Sequence, residues 1–313
     1  MADENWERGV IEQLMRESLA ERRRARRWGI AFKLIGLALI VVALTIAFAA
    51  VATREHVCLD KCTALVELRG QLDSGGRASA ERVVAGLQAA FKNSGTKGVV
   101  LRINSPGGSP VQAGQIYDEV RRLRAAHPDK PLYAVVEEIA ASGGYYVAAA
   151  ADRIYVDKAS MIGSIGVIME GFGFAGAIEK LGVERRVVTA GSNKDFLDPF
   201  EPLDPGQRAY AQSLLDDVHK QFIAAVKAGR GDRLKDVPDL FSGLVWTGSK
   251  AIELGLADAL GTVDGVAREV IEAEEVVDFT PEDNLADRVA RKFGAALAGE
   301  LAIALRQSSW GLR

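Results

Sequence analysis

Residues 98–110 read Gly-Val-Val-Leu-Arg-Ile-Asn-Ser-Pro-Gly-Gly-Ser-Pro, and the order of residue types in that stretch decides the architecture. Gly98 to Ile103 form a short, mostly apolar run, the pattern of a buried strand. Pro106-Gly107-Gly108 then turns the chain. Ser109, Pro110 and Gln112 match the N-cap, first and third positions of a capping box, which starts a helix over 110–126. The same succession recurs on both sides. Ala64–Leu68 reads as a strand before a helix over 79–92, Leu132–Val136 as a strand before a helix over 143–150, and Arg153–Val156 as a further strand. Strands alternating with helices predict an α/β fold with a mainly parallel sheet.

Beyond Val156 the chain changes character. Residues 159–175 are rich in glycine and small side chains, which points to close backbone approach rather than a packed helix. Residues 185–189 are expected to form a strand, 205–229 a long helix and 247–275 a helical closing segment. From Asp283 onward, Leu285, Val289, Phe293, Leu297, Leu301 and Leu305 make an apolar stripe on a helix. Its default role is packing on the domain or on a neighbouring subunit.

The chain has 313 residues, 48% hydrophobic and 26% charged, enough for one large α/β domain with appendages or for two small domains. A net charge of −3 without a basic, aromatic-interleaved stripe argues against nucleic acid as the main partner. Residues 34–52 carry no charge and span about 28 Å as a helix, close to the hydrocarbon thickness of a bilayer. Arg22, Arg23, Arg24, Arg26, Arg27 and Lys33 precede this stretch, whereas Arg54 and Lys61 follow it. The positive-inside rule therefore places the N-terminus in the cytoplasm and the remainder on the periplasmic or extracellular side. Ala50-Val51-Ala52 resembles a signal-peptidase site, but the apolar run is longer than a usual signal core and the segment before it is long and rich in acids. The expected organisation is a cytoplasmic basic segment (1–33), a transmembrane anchor (34–52), a catalytic domain (53–275) and an amphipathic tail (276–313). Cys58 and Cys62 are compatible with an oxidised pair or with thiols, and two cysteines do not by themselves make a metal site.

Two strand-to-helix crossings carry the chemistry. Ala140-Ala141-Ser142-Gly143-Gly144-Tyr145-Tyr146 places Ser142 at a helix N-terminus, where a serine is either an N-cap or a nucleophile. The N–H of Gly143 has no intrahelical acceptor there and can face an oxyanion. Gly108, in the other turn, can supply a second N–H. In a parallel sheet both turns fall at the carboxyl ends of strands, where α/β folds place their sites. A serine needs a base. His56, His127 and His219 lie outside any glycine-rich or strand-end context, and a desolvated lysine can replace histidine.

Ile103-Asn104-Ser105-Pro106-Gly107-Gly108, Ala140 to Tyr146, Gly163-Ser164-Ile165-Gly166-Val167 and Gly191-Ser192-Asn193-Lys194-Asp195 occur in an order and spacing that resembles the signal peptide peptidase A family in its short, single-repeat bacterial form, over about residues 64–270. The resemblance implies a ClpP- and crotonase-like fold of repeated ββα units, Ser142 as nucleophile, Lys194 as general base, and Gly108 and Gly143 as the oxyanion hole. It also implies ATP-independent cleavage of peptides such as remnant signal peptides, without cofactor or metal, by a homo-oligomer on a lipid membrane. Gly163, Ser164 and Ile165 are the expected substrate-binding segment. A crotonase-like acyl-CoA enzyme and a catalytically inactive scaffold of the same fold are the competing classes. The Cys58/Cys62 pair, the arginine-rich leader and the striped tail depart from the family pattern.

Overall fold

The computed structural model describes residues 26–30, 32–45, 58 and 60–281. The expected leader before Arg26, the far end of the expected anchor and the striped tail lie outside the described residues. The chain divides into two units, Met1–Val57 and Cys58–Arg313. In the first, helix α1 (Arg26–Thr45) is long and apolar enough to cross a membrane. It begins upstream of the expected span, taking in Arg26, Arg27 and Lys33.

The second unit is built on eight strands: β1 (Cys62–Arg69), β2 (Thr96–Ser105), β3 (Leu132–Ala141), β4 (Arg153–Val156), β5 (Met161–Gly163), β6 (Val245–Thr247), β7 (Ala259–Leu260) and β8 (Val276–Asp278). The sheet runs β6-β5-β3-β2-β1-β8, and β4 pairs with both β3 and β7. All pairs are parallel except β5 with β6. The sheet forks at β3. Its first half, Tyr133–Val135, pairs with β4, while its last residues, Ile139–Ala141, pair with β5. This fork carries the end of β3 past β4 and leaves it facing β5, immediately before Ser142.

Alternation along the central strands feeds two cores, as expected of a parallel sheet covered on both faces. Ala64, Val66, Val99, Leu101, Ala134 and Val136 pack under α2 (Ala80–Lys92), α3 (Pro110–Ala126) and α4 (Gly143–Ala148). Leu65, Val100 and Val135 face the other way and meet Val266 of α8 (Val263–Glu269). The start of α3 follows from its sequence. Pro110 stands at its N-terminus, and the Ser109 hydroxyl accepts the Gln112 N–H at 3.4 Å. The reciprocal half of the box is not made, because the Gln112 side-chain oxygen accepts the Ala80 N–H at 2.7 Å and so ties α3 to α2.

Three expectations change. Residues 185–189 form no strand; Val188 is 99% exposed, so its β-branched side chain has no sheet face to pack against, and Arg185 pairs instead with Asp198 and Glu201. Residues 247–275 are not one helical segment. α7 (Gly248–Glu253) stops before Gly255, whose φ of +75° only glycine adopts easily, and β7 intervenes before α8. Val276–Asp278, expected in the tail, pairs with β1, and the Phe279 N–H extends that ladder to the Leu65 carbonyl at 2.8 Å. Between β5 and β6 lie the short helix α5 (Ala175–Lys180) and the long helix α6 (Pro205–Arg230). Cys58 and Cys62 form a disulfide at the entry to β1.

Candidate active site

Ser142 links β3 to α4 with φ +52° and ψ −125°, a conformation costly for any residue with a Cβ. Neighbouring hydrogen bonds hold it there. Its N–H donates to the Gly163 carbonyl at 2.8 Å, and its carbonyl accepts the Tyr146 N–H at 2.9 Å. Its hydroxyl does not cap the helix and has no hydrogen-bond partner among the described residues. A serine kept for capping would spend its Oγ on the helix; this one holds the N-cap position with its Oγ unused.

The turn after β2 is pressed against this serine. A methyl group added at Gly107 would lie 2.7 Å from the Ser142 Cβ and 2.8 Å from the Gly143 nitrogen. Gly108 has φ +140°, and a methyl there would lie 2.3 Å from the Leu72 carbonyl oxygen. Hydrogen bonding then separates the two glycines. The Gly107 N–H donates to the Ser105 hydroxyl at 3.2 Å, and that hydroxyl itself donates to the Gly70 carbonyl at 2.6 Å. On either side of Gly108, the Gly107 carbonyl accepts the Leu72 N–H and the Ser109 N–H donates to the Leu72 carbonyl. The N–H groups of Gly108 and Gly143 have no partner among the described residues.

Gly108, Ser142, Gly143 and Ser164 line one cleft of about 540 Å³. Pro106, Pro110, Ala113, Tyr146, Val167, Ile168 and Phe222 form its apolar wall, and among the described residues no charged side chain borders it. The Tyr146 ring packs against Phe222 at 4.9 Å and edge-on to Tyr117 at 5.3 Å. Burial pushes the Tyr146 phenol up, so it is neutral at physiological pH. Ser164 repeats the backbone tension of Ser142, with φ +51° and its N–H on the Leu244 carbonyl at 2.8 Å.

The expected site residues therefore separate. Of the expected substrate-binding segment only Ser164 lines the cleft; Gly163 holds the Ser142 N–H through its carbonyl and Ile165 has its side chain in the core, and neither is among the lining residues. Lys194 is exposed, lies outside the residues lining the cleft, and pairs with no carboxylate among the described residues. Asp195, next to it, lines a separate hollow of about 770 Å³ between residues 169–173, the 195–204 loop and α6. Phe222 of α6 lines the cleft, which the sequence reading passes over, and His219, set aside there as a base, hydrogen-bonds the Ile165 carbonyl. Their i, i+3 spacing, continued by Val226, was the available signal, since it marks one inward face of a helix.

A forked parallel sheet, with a serine on a forced backbone at one strand end and a glycine turn at the next, is the framework of a ClpP-like α/β domain. In agreement, residues 63–163 match the profile of Clp protease, and residues 124–277 match that of Peptidase family S49. A Synechocystis sp. protein carried under a provisional protease name is 34% identical over 202 residues, covering 64% of this chain and 70% of the relative. Protease 4 of Haemophilus influenzae is 30% identical over 228 residues, 72% of this chain and 36% of that protein. A Brucella melitensis protein named Na(+)/H(+) antiporter NhaA is 46% identical over 202 residues, 63% of this chain but 27% of its own length. This chain thus spans about a quarter of the Brucella protein, whose name covers a much longer polypeptide. The chain belongs to Peptidase family S49.

Proposed function

We propose that the chain is a membrane-anchored serine endopeptidase that cuts apolar peptides, remnant signal peptides among them, at the outer face of the cytoplasmic membrane. The observation that carries this reading is that Ser142, its hydroxyl uncommitted, lines one cleft with Gly108 and Gly143, whose N–H groups have no partner among the described residues. Ser142 attacks the peptide carbonyl; the two N–H groups take the charge that develops on its oxygen, each such donor being worth about 3 kcal/mol. Collapse of this tetrahedral intermediate breaks the C–N bond, the amine leaving with the proton that the general base took from Ser142, and water then hydrolyses the acyl-enzyme. An extended peptide lies along residues 164–168, where the Gly166 carbonyl and Val167 N–H have no partner among the described residues. The cleft wall of Pro110, Ala113, Tyr146 and Phe222 favours apolar side chains.

Lys194 is the proposed general base. A lysine serves as a base when desolvation disfavours its ammonium form, and an exposed Lys194 needs a second surface to supply that burial. A second copy of the chain, as the family resemblance implies, is the proposed source. Tethering by α1 raises the concentration of the cleft beside the bilayer, where apolar peptides collect.

The decisive experiment combines a peptide-library digest with labelling by a fluorophosphonate, which acylates activated serines. Wild-type protein is expected to label and to cut apolar sequences, and Ser142→Ala to do neither. Cleavage that persists in Ser142→Ala would overturn the assignment. An N-terminal epitope tag is expected to remain on the mature chain in the membrane fraction; loss of the tag on maturation would exclude the anchor.

A further inference from the structure

α6 brings one polar side chain to the edge of the Ser142 cleft. His219 is half-buried, and its Nε2 lies 3.0 Å from the Ile165 carbonyl oxygen. A carbonyl only accepts, so Nε2 carries the proton and donates it. The same bond keeps that nitrogen from acting as a base toward Ser142. Ile165 stands between Ser164 and Gly166, both of which line the cleft, while its own side chain is fully buried.

Few other ties hold this segment. The Ser164 N–H reaches the Leu244 carbonyl at 2.8 Å, and the Gly166 N–H folds back onto the Ser164 carbonyl at 2.9 Å. Gly163 and Ser164 sit at φ +113° and +51°, so intrinsic backbone preference does not keep the chain in this path. His219, in contrast, rides on a firmly seated helix. One turn further on, Phe222 is buried against Tyr146, and the Ala225 carbonyl accepts the Tyr117 hydroxyl at 3.1 Å.

We propose that His219 is a positioning residue for substrate: its Nε2–H clamps the Ile165 carbonyl and thereby holds the backbone of Gly166 and Val167 ready to pair with an extended peptide. This rests on the serine peptidase reading and assigns His219 to peptide binding, not to the chemistry at Ser142. A small acylating reagent meets Ser142 without using the 164–168 segment. An extended peptide needs both.

The test uses the full-length protein in detergent. Affinity for a fluorescein-labelled, alanine- and leucine-rich decapeptide is measured in the Ser142→Ala background, where no turnover occurs, and fluorophosphonate labelling is measured with Ser142 intact. His219→Leu is expected to weaken peptide binding about fivefold, the effect of one neutral hydrogen bond, and to leave the labelling rate unchanged. His219→Gln, whose amide N–H can donate to the same carbonyl, is expected to restore binding. Unchanged affinity in His219→Leu overturns the proposal, as does a parallel loss of labelling, which would place His219 in service of Ser142 itself. If the wild type labels yet cuts no peptide, the peptidase reading fails separately, while the binding comparison still judges the clamp.

Discussion

At the scale of single residues, the site is made of backbone. Ser142 accepts a strained conformation so that its hydroxyl projects from the end of β3, and that tension predicts a trade between stability and activity. Ser142→Gly is expected to raise stability by about 1 kcal/mol while abolishing fluorophosphonate labelling; Ser142→Ala abolishes labelling with no such gain. Thermal unfolding of both variants checks this, and equal stability would show that the φ of +52° carries little cost. Two further glycines form a contrast. Gly108→Ala adds a methyl 2.3 Å from the Leu72 carbonyl at a φ that disfavours it, and is expected to lose labelling together with about 2 kcal/mol or more of stability. Gly114→Ala, inside α3 with nothing within 4 Å, is expected to gain about 0.5 kcal/mol at full labelling. Ser142 was legible in the sequence as a residue at a helix start. From the local pattern alone that position suits a cap or a nucleophile; the family resemblance implied the nucleophile, and a hydroxyl that makes no capping bond is consistent with it.

At the scale of elements, helices are seated around the fork in the sheet by one buried charge cluster. Arg230, at the end of α6, has no exposed side-chain surface and grips Asp258 with two hydrogen bonds of 2.8 and 2.9 Å. Asp258 also accepts the Ile154 N–H of β4 at 2.7 Å, and Arg230 Nε donates to the Gly255 carbonyl. Close by, the buried Tyr145 of α4, three residues after Ser142, donates its hydroxyl to the Leu256 carbonyl at 2.8 Å. Burial pushes the Asp258 carboxyl up, but the hydrogen bonds and charge of Arg230, aided by the Ile154 N–H and Arg233, outweigh burial and hold it below the usual carboxylate range. A carboxyl lowered on folding stabilises the protein fully above its unfolded value, near pH 4, and loses that contribution as pH falls through the folded value. Asp258→Asn strands the buried guanidinium and is expected to cost about 3 kcal/mol at neutral pH. In chemical unfolding followed from pH 7 to pH 3, the wild type should lose stability at the acid end more steeply than this variant; parallel curves would argue against the assignment. The strands and helices from Ala64 to Val156 were legible because each carries a clear period and a turn signal. The strand expected at 185–189 failed because β propensity acts only where a sheet edge is at hand.

At the scale of the whole molecule, the described residues place Ser142 and Lys194 differently: one lines the cleft, the other is exposed outside it. If a second copy supplies the base, two inactive proteins should repair each other. Ser142→Ala and Lys194→Ala chains, each inactive alone, are expected to regain part of the peptide cleavage when co-expressed and co-assembled. Mixtures that stay inactive, despite co-purification of both chains, would put the base within one chain or on another residue.

The sequence alone determined the alternation of strands and helices, the two glycine turns, the serine at a helix start and a segment apolar enough for a membrane, because periodicity, capping and hydropathy are local and survive in one dimension. Only the tertiary structure decided that β3 forks between β4 and β5, that Gly107 spends its N–H on Ser105 while Gly108 does not, and that a helix far along the chain brings Phe222 to the cleft and His219 to the Ile165 carbonyl. These depend on which strand ends and helix faces meet, and such contacts between distant segments are set by packing the whole core, which no local pattern encodes.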